Sequence, residues 1–188
     1  MNNENNVKMI ESVMAVFDFL VPDLKVQREL LRMRKEFEEV FGTPKSYALS
    51  VDLVEEELSE FIEELANNGV NENLIKEYSD VIYVVIGLLS NLEAVEMKDS
   101  THYWIQSAWE ENAKVANRVA SVAWEFFTTE DVLKAFTEVH RSNMSKINAD
   151  GTIHRREDGK VLKPDTYSKA DVSEIFNKDI WIMRMEGM

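Results

Sequence analysis

Cysteine is absent from the 188 residues, which excludes disulfides and thiolate metal sites and fits a reducing cytoplasm. Proline occurs three times, and Pro22, Pro44 and Pro164 each fall at a break between periodic stretches. Basic residues are outnumbered, 21 against 35 acidic, for a net charge of −14. That balance repels nucleic-acid backbones and anionic membranes at long range, so neither is an expected partner. No apolar run is long enough for a bilayer: the longest, Val81–Leu89, ends far short of a span. The opening Met1–Asn6 is polar and lacks the positive charge of a secretory leader. The expectation is a soluble protein of the cytoplasm. At 45% hydrophobic and 10% aromatic residues, the chain has enough apolar surface for one domain spanning 1–188.

The remaining residues are organised around 51–92. Val54, Leu58, Phe61, Ile62 and Leu65 recur at three- and four-residue steps, which predicts an amphipathic helix. Glu56, Glu57 and Glu60 fall in one sector flanking that stripe. Asn67-Asn68-Gly69 reads as its C-cap, and Asn71 or Asn73 can cap the next helix. Over Val81–Leu89 that second helix is apolar all round and therefore buried. It nevertheless carries Glu77 and Asp80 one turn apart. A row of Glu on an amphipathic helix is ordinarily a solvated face. Beside a buried helix it is not, because ionised carboxylates taken from water pair, change protonation or bind metal. At ~4 Å and an effective dielectric of ~20, each like-charge pair costs on the order of 4 kcal/mol. Lys76 alone cannot offset four or five such groups. Divalent cations can, and hard oxygen ligands suit Mg²⁺ or Mn²⁺.

Further helices are predicted on both sides. One covers Val7–Leu20 and another runs from an Asp23 cap to Phe41, with Gly42 as its stop. Arg28, Arg32, Arg34 and Lys35 read as the solvated or substrate-side face of the latter. Lys45–Ala48 reads as a loop and Ser50 as the cap of the Glu56 helix. Residues 93–99 read as a polar joint before a long helix from Asp99 or Ser100 to about Phe127, whose tryptophans read as packing groups. Thr128 and Asp131 stand at capping-box spacing ahead of a helix over Val132–Ile147. Beyond it, Thr152–Arg156 and Lys160–Lys163 flank an Asp158-Gly159 turn, the pattern of a small β-hairpin. A short helix at Asp171–Phe176 and an apolar end at Ile180–Met185 close the chain. The segment 140–163 carries six basic residues against three acidic, a net +3 that leaves −17 elsewhere. It is a local receptor for an anion. Arg141 can bind phosphate bidentately, Lys146, Lys160 and Lys163 as point charges, and Asn143 both donates and accepts.

Glu56-Glu57-Leu58-Ser59-Glu60 followed by Glu77-Tyr78-Ser79-Asp80 resembles the EExxE…ExxD signature of the all-α nucleoside triphosphate pyrophosphohydrolases. That superfamily includes MazG, the dimeric dUTPases and phosphoribosyl-ATP pyrophosphohydrolase. Glu138–Lys146, reading E-V-H-R-S-N-M-S-K, and Asp158–Lys163, reading D-G-K-V-L-K, resemble strings of the phosphoribosyl-ATP pyrophosphohydrolase-like branch common in bacteria and phages. Two features depart from that branch: the additional helix within Met97–Phe127, and Pro164-Asp165-Thr166-Tyr167 where Gly-Pro-Asn-Tyr is usual. The resemblance implies an all-α helical bundle with a core of about 23–147, with hairpin and tail over 148–188. It implies conversion of a nucleoside triphosphate, a deoxynucleoside triphosphate first of all, to the monophosphate and pyrophosphate. Glu57, Glu60, Glu77 and Asp80 would hold Mg²⁺ or Mn²⁺. Glu56 would activate water, a role it could exchange with Glu57. Arg141, Asn143, Lys146, Lys160 and Lys163 would bind the phosphates. A homodimer or homotetramer is implied as well. A di-iron carboxylate bundle needs Glu-x-x-His pairs, and none of His102, His140 and His154 follows a Glu by three. The remaining rival is a catalytically silent nucleotide-binding or regulatory protein on the same scaffold.

Overall fold

The structure, a computed structural model, describes residues 2–42, 46–94 and 99–175. Six helices account for most of it: α1 (Asn2–Leu20), α2 (Leu24–Phe41), α3 (Tyr47–Asn68), α4 (Glu72–Ala94), α5 (Asp99–Phe126) and α6 (Thr129–Met144). The apolar helix α4 is the hub, packing against each of the other five, most extensively α3. Fourteen of its residues are buried, as expected of a helix with no polar face wide enough for water. One hydrophobic cluster runs through all six helices and takes in Val172 from the tail. Phe61 and Tyr78 meet at 6.0 Å between ring centroids where α3 crosses α4. Full burial of such side chains stabilises by roughly 1.5–3 kcal/mol each.

Local signals set the helix ends. Asp23 accepts from the amides of Lys25 and Val26 at 2.8 and 3.1 Å. Asn71 does the same for Asn73 and Leu74 at 2.7 and 3.1 Å. Gly69, at φ 69°, turns the chain out of α3 while its amide still reaches Leu65 O, a left-handed conformation that favours glycine. Thr128 and Asp131 form the reciprocal capping box expected for α6. Since α6 delivers Asn143 and Lys146 to the cleft described below, the box matters beyond its own turn. Thr128→Ala is expected to cost about 1 kcal/mol, seen as a melting temperature lower by about 2–4 °C. An unchanged melting curve would show that α6 is held by packing alone.

Several expectations are corrected. No strand forms among the described residues. The expected β-hairpin is reduced to one antiparallel bridge, Arg155 to Val161, around the Gly159 turn. The segment instead spends its donors on the helices, Arg155 reaching the carbonyl of Phe41 and Lys160 the carboxylate of Glu56. Ser50 is not a cap: α3 starts earlier, capped by Ser46, and Ser50 is buried as the acceptor of Asn91 Nδ2 at 3.0 Å. Of the two alternatives for Arg34, a solvated or a substrate-side face, the solvated one fails: the residue is 5% exposed. Helix α1 begins at Asn2 rather than Val7. Helix α6 ends at Met144, after which the chain turns. A turn at 173–175 stands where a helix from Asp171 was expected. Residues 95–98, within the expected joint, and the apolar end at 180–185 lie outside the described residues.

Helix α5 explains its tryptophans. Trp109 is fully buried and donates to Ser12 Oγ at 3.0 Å. Trp124 donates to Phe19 O at 3.2 Å and meets Tyr78 edge-on. Both tie α5 to α1 and the back of α4, while Trp104 remains 46% exposed. No helix is long and apolar enough to cross a membrane among the described residues.

Candidate active site

A cleft of about 210 Å³ opens where α2, α3, α4, α6 and the 155–167 segment converge. Helix α3 brings its acidic sector there because Val54, Leu58 and Phe61 fix the opposite side in the core. Glu56, Glu57 and Glu60 line the wall, and Asp80 and Lys76 face them from α4. Carboxylate oxygens of Glu57, Glu60 and Glu77 lie within 4.8 Å of one another. Four carboxyl groups and one ammonium are thus crowded at one helix crossing.

The electrostatics follow from that crowding. Burial pushes the Glu57 carboxyl up to about 8, and the negative charges of Asp80, Glu60 and Glu77 push the same way against Lys76. Burial also raises Glu77, opposed by its bond to Lys76. The Lys76 ammonium lies 2.8 Å from both oxygens of Glu77 and 2.9 Å from Asp80 Oδ2. Burial pulls its pKa down, but Asp80 and Glu77 outweigh that and hold it above the usual lysine value. One ammonium therefore partners two carboxylates and leaves Glu57 protonated near neutrality. These are the signs of a cluster short of positive charge, with a donor set made only of hard oxygens.

Across the cleft stand the cations. Lys146, two residues beyond α6, is buried enough that its pKa falls to about 8; Asp80 and Glu57 oppose the fall, and Lys163 and Lys160 add to it. Lys160 Nζ is 2.6 and 2.7 Å from the carboxylate oxygens of Glu56. Lys163 lines the same wall with its ammonium 5.0 Å from the Tyr167 ring, and Asn143 lines the cleft beside Tyr83.

Of the residues singled out from sequence, the structure brings Glu56, Glu57, Glu60, Asp80, Asn143, Lys146, Lys160 and Lys163 to one cleft, with Glu77 joined to it through Glu57 and Glu60. It does not bring Arg141. That guanidinium points to the tail, donating to Glu138 at 2.9 Å, Ser168 Oγ at 2.9 Å and Lys169 O at 2.6 Å. His140 also stays outside the cleft lining, between Tyr83 OH and Glu36 at 3.3 Å each, with burial depressing its pKa. Arg155 lines the cleft without having been given a role of its own, and Arg34, expected on a solvated or substrate-side face, lines it too. For Arg34 a signal existed: with Leu30, Phe37 and Phe41 it continues the buried stripe of α2, where a charge needs a reason. Among the described residues, helix α5 contributes none to the cleft wall.

Residues 25–102 match the model of the family described as phosphoribosyl-ATP pyrophosphohydrolase. No curated protein matches the chain, and no solved structure does. The matched stretch holds α2, α3 and α4 and so carries every carboxylate of the cleft; the basic wall lies beyond it. The segment 25–102 is thus similar to a phosphoribosyl-ATP pyrophosphohydrolase-family domain, a member of the MazG-like all-α nucleoside triphosphate pyrophosphohydrolase superfamily.

Proposed function

We propose that the protein is a metal-dependent nucleoside triphosphate pyrophosphohydrolase, converting a nucleoside triphosphate and water to the monophosphate and pyrophosphate. The observation that carries this is the opposition of charges across one cleft: surplus carboxylates on α3 and α4 facing three lysines. A divalent cation and a polyanion together would neutralise both walls, and neither alone would. Glu57, Glu60, Glu77 and Asp80 are the residues to hold Mg²⁺ or Mn²⁺. Ions bound there supply charge neutralisation at a phosphoryl group and lower the pKa of a bound water.

The chain's own residues do the rest. Lys146, Lys160 and Lys163 bind the phosphates as they depart, with Asn143 donating beside them. Glu56 orients and deprotonates the attacking water. In the substrate-free state Lys160 pairs with Glu56, so a phosphate that draws Lys160 away also frees the base. Arg141 is left to fasten the tail to α6. A single domain over 1–188 and assembly as a homodimer or homotetramer belong to the same proposal.

The test is direct. Purified protein incubated with each deoxynucleoside triphosphate and Mg²⁺ or Mn²⁺ is expected to release pyrophosphate and monophosphate. Release of orthophosphate instead would place the cleavage at the wrong bond. Tight nucleotide binding with no release would identify a silent binding protein.

A further inference from the structure

Helix α4 carries a cation of its own among the acids. Lys76 lines the cleft, with its ammonium 2.8 Å from both oxygens of Glu77 and 2.9 Å from Asp80 Oδ2. The three side chains are largely shielded from water, at 30, 13 and 18% exposed. Helix geometry alone does not ask for a lysine there. A basic residue four positions ahead of an acidic one is the weaker order for such a pair, and adjacent residues do not face each other on a helix. The charge of the acids is what holds the ammonium in place. Burial works against that charge, but Asp80 and Glu77 outweigh it, so the group keeps its proton.

The ammonium occupies oxygens that a metal ion would need. Ligand oxygens of Glu57, Glu60 and Glu77 gather within 4.8 Å of one another. Asp80 stands outside that group, with one oxygen on Lys76. An ion held by all four acids must draw on Glu77 and Asp80, the pair that Lys76 bridges. A divalent cation and an ammonium repel strongly at such range, so the lysine has to give way. It has somewhere to go, because the cleft it lines is the one that Lys146, Lys160 and Lys163 face from the other side.

Resting on the metal-dependent function proposed above, we infer that Lys76 changes partners: it holds Glu77 and Asp80 until a divalent ion takes them, and then turns its ammonium to the substrate's phosphates. The lysine therefore weakens the binding of metal alone and strengthens the binding of polyphosphate beside metal. It also makes the two cooperative. Metal frees the ammonium for phosphate, phosphate draws it off the metal's ligands, and the two effects are equal by linkage.

The experiment measures, by calorimetry on the full chain, the affinity for Mn²⁺ alone and the affinity for inorganic tripolyphosphate at saturating Mn²⁺. Lys76→Met is expected to bind Mn²⁺ about 10-fold more tightly than the wild-type protein and tripolyphosphate about 10-fold more weakly. Those opposed signs are the signature. A lysine that only braces the acids would weaken both ligands on removal, and one that only meets phosphate would leave Mn²⁺ unchanged. Either result overturns the inference, as does tighter Mn²⁺ with undiminished tripolyphosphate binding. Loss of the ammonium leaves Glu77 and Asp80 unpaired and lowers the melting temperature in chelator, a loss that Mn²⁺ should reverse. Lys76→Gln, which can still donate to Glu77, carries the same two signs and answers the question where Lys76→Met fails to fold. Pyrophosphate release by the wild-type protein without the opposed shifts in the variants would sink this inference and leave the hydrolase standing. The opposed shifts without hydrolysis would do the reverse, and a wild-type protein that binds no Mn²⁺ would end both.

Discussion

Glu57→Gln is expected to make the metal-free protein more stable and the enzyme nearly inactive. Folding forces the Glu57 carboxyl into a place where its ionised form is disfavoured by burial, Asp80 and Glu60. At pH 8 the unfolded chain holds that group ionised at no penalty, so the native state bears the difference. Each pKa unit is worth about 1.4 kcal/mol, and a neutral amide of the same shape escapes most of it. A gain of about 1–3 kcal/mol is expected, or a melting temperature higher by about 2–12 °C for a chain of this size. At pH 5, where native Glu57 is protonated already, the gain should vanish. Turnover should fall by on the order of 10³-fold, because a metal site contributes several kcal/mol of charge stabilisation to the reaction. The two changes have one cause, a charge placed for a cation and not for the fold. A variant with wild-type turnover would remove Glu57 from the chemistry, whatever its stability.

The second large effect is a dependence of stability on both pH and metal. Glu57 has a native pKa of about 8, raised from 4.5. Its contribution is therefore fully present below pH 4.5 and lost as pH rises through 8. Glu77 shifts in the same direction. Lys146 has a native pKa of about 8, depressed from 10.5. Its contribution is present above pH 10.5 and lost as pH falls through 8. The first window slopes down to about pH 8 and the second slopes up from it, so the metal-free protein should be least stable near pH 8. Metal binding at the proposed site would ionise Glu57 and release its proton, so apparent affinity should rise about tenfold per pH unit below that point. Melting curves in chelator and in excess Mn²⁺, from pH 5 to 9, read both effects. The metal-induced shift should grow steadily between pH 6 and 8 as RT ln(1 + [L]/Kd). A shift of constant size across that range would show that no buried carboxyl titrates at the metal site.

Much of the fold could be read from the chain because its signals are local. The stripe of Val54, Leu58 and Phe61 and the caps at Asp23, Asn71 and Thr128 involve residues at most a few positions apart. Their physics is the same in a peptide as in the folded protein. The errors arose where distant partners intervened. Ser50 was legible as a cap, yet Asn91 of α4 claims its hydroxyl. The 152–163 stretch has hairpin spacing, yet Phe41 and Glu56 draw its side chains toward the helices. Arg141 suits a phosphate by chemical type, but the tail residues Ser168 and Lys169 occupy it.

Alone, then, the sequence determined that helices would form, that α4 would be buried, and that buried acids would need positive charge. Each follows from periodicity and from the cost of taking a carboxylate out of water. Only the tertiary structure decided which charges face one another, because that depends on how helices far apart in the chain cross. Lys160 meets Glu56 from 104 positions away, and Arg34 fills the space left by Gly87. No local pattern encodes either meeting.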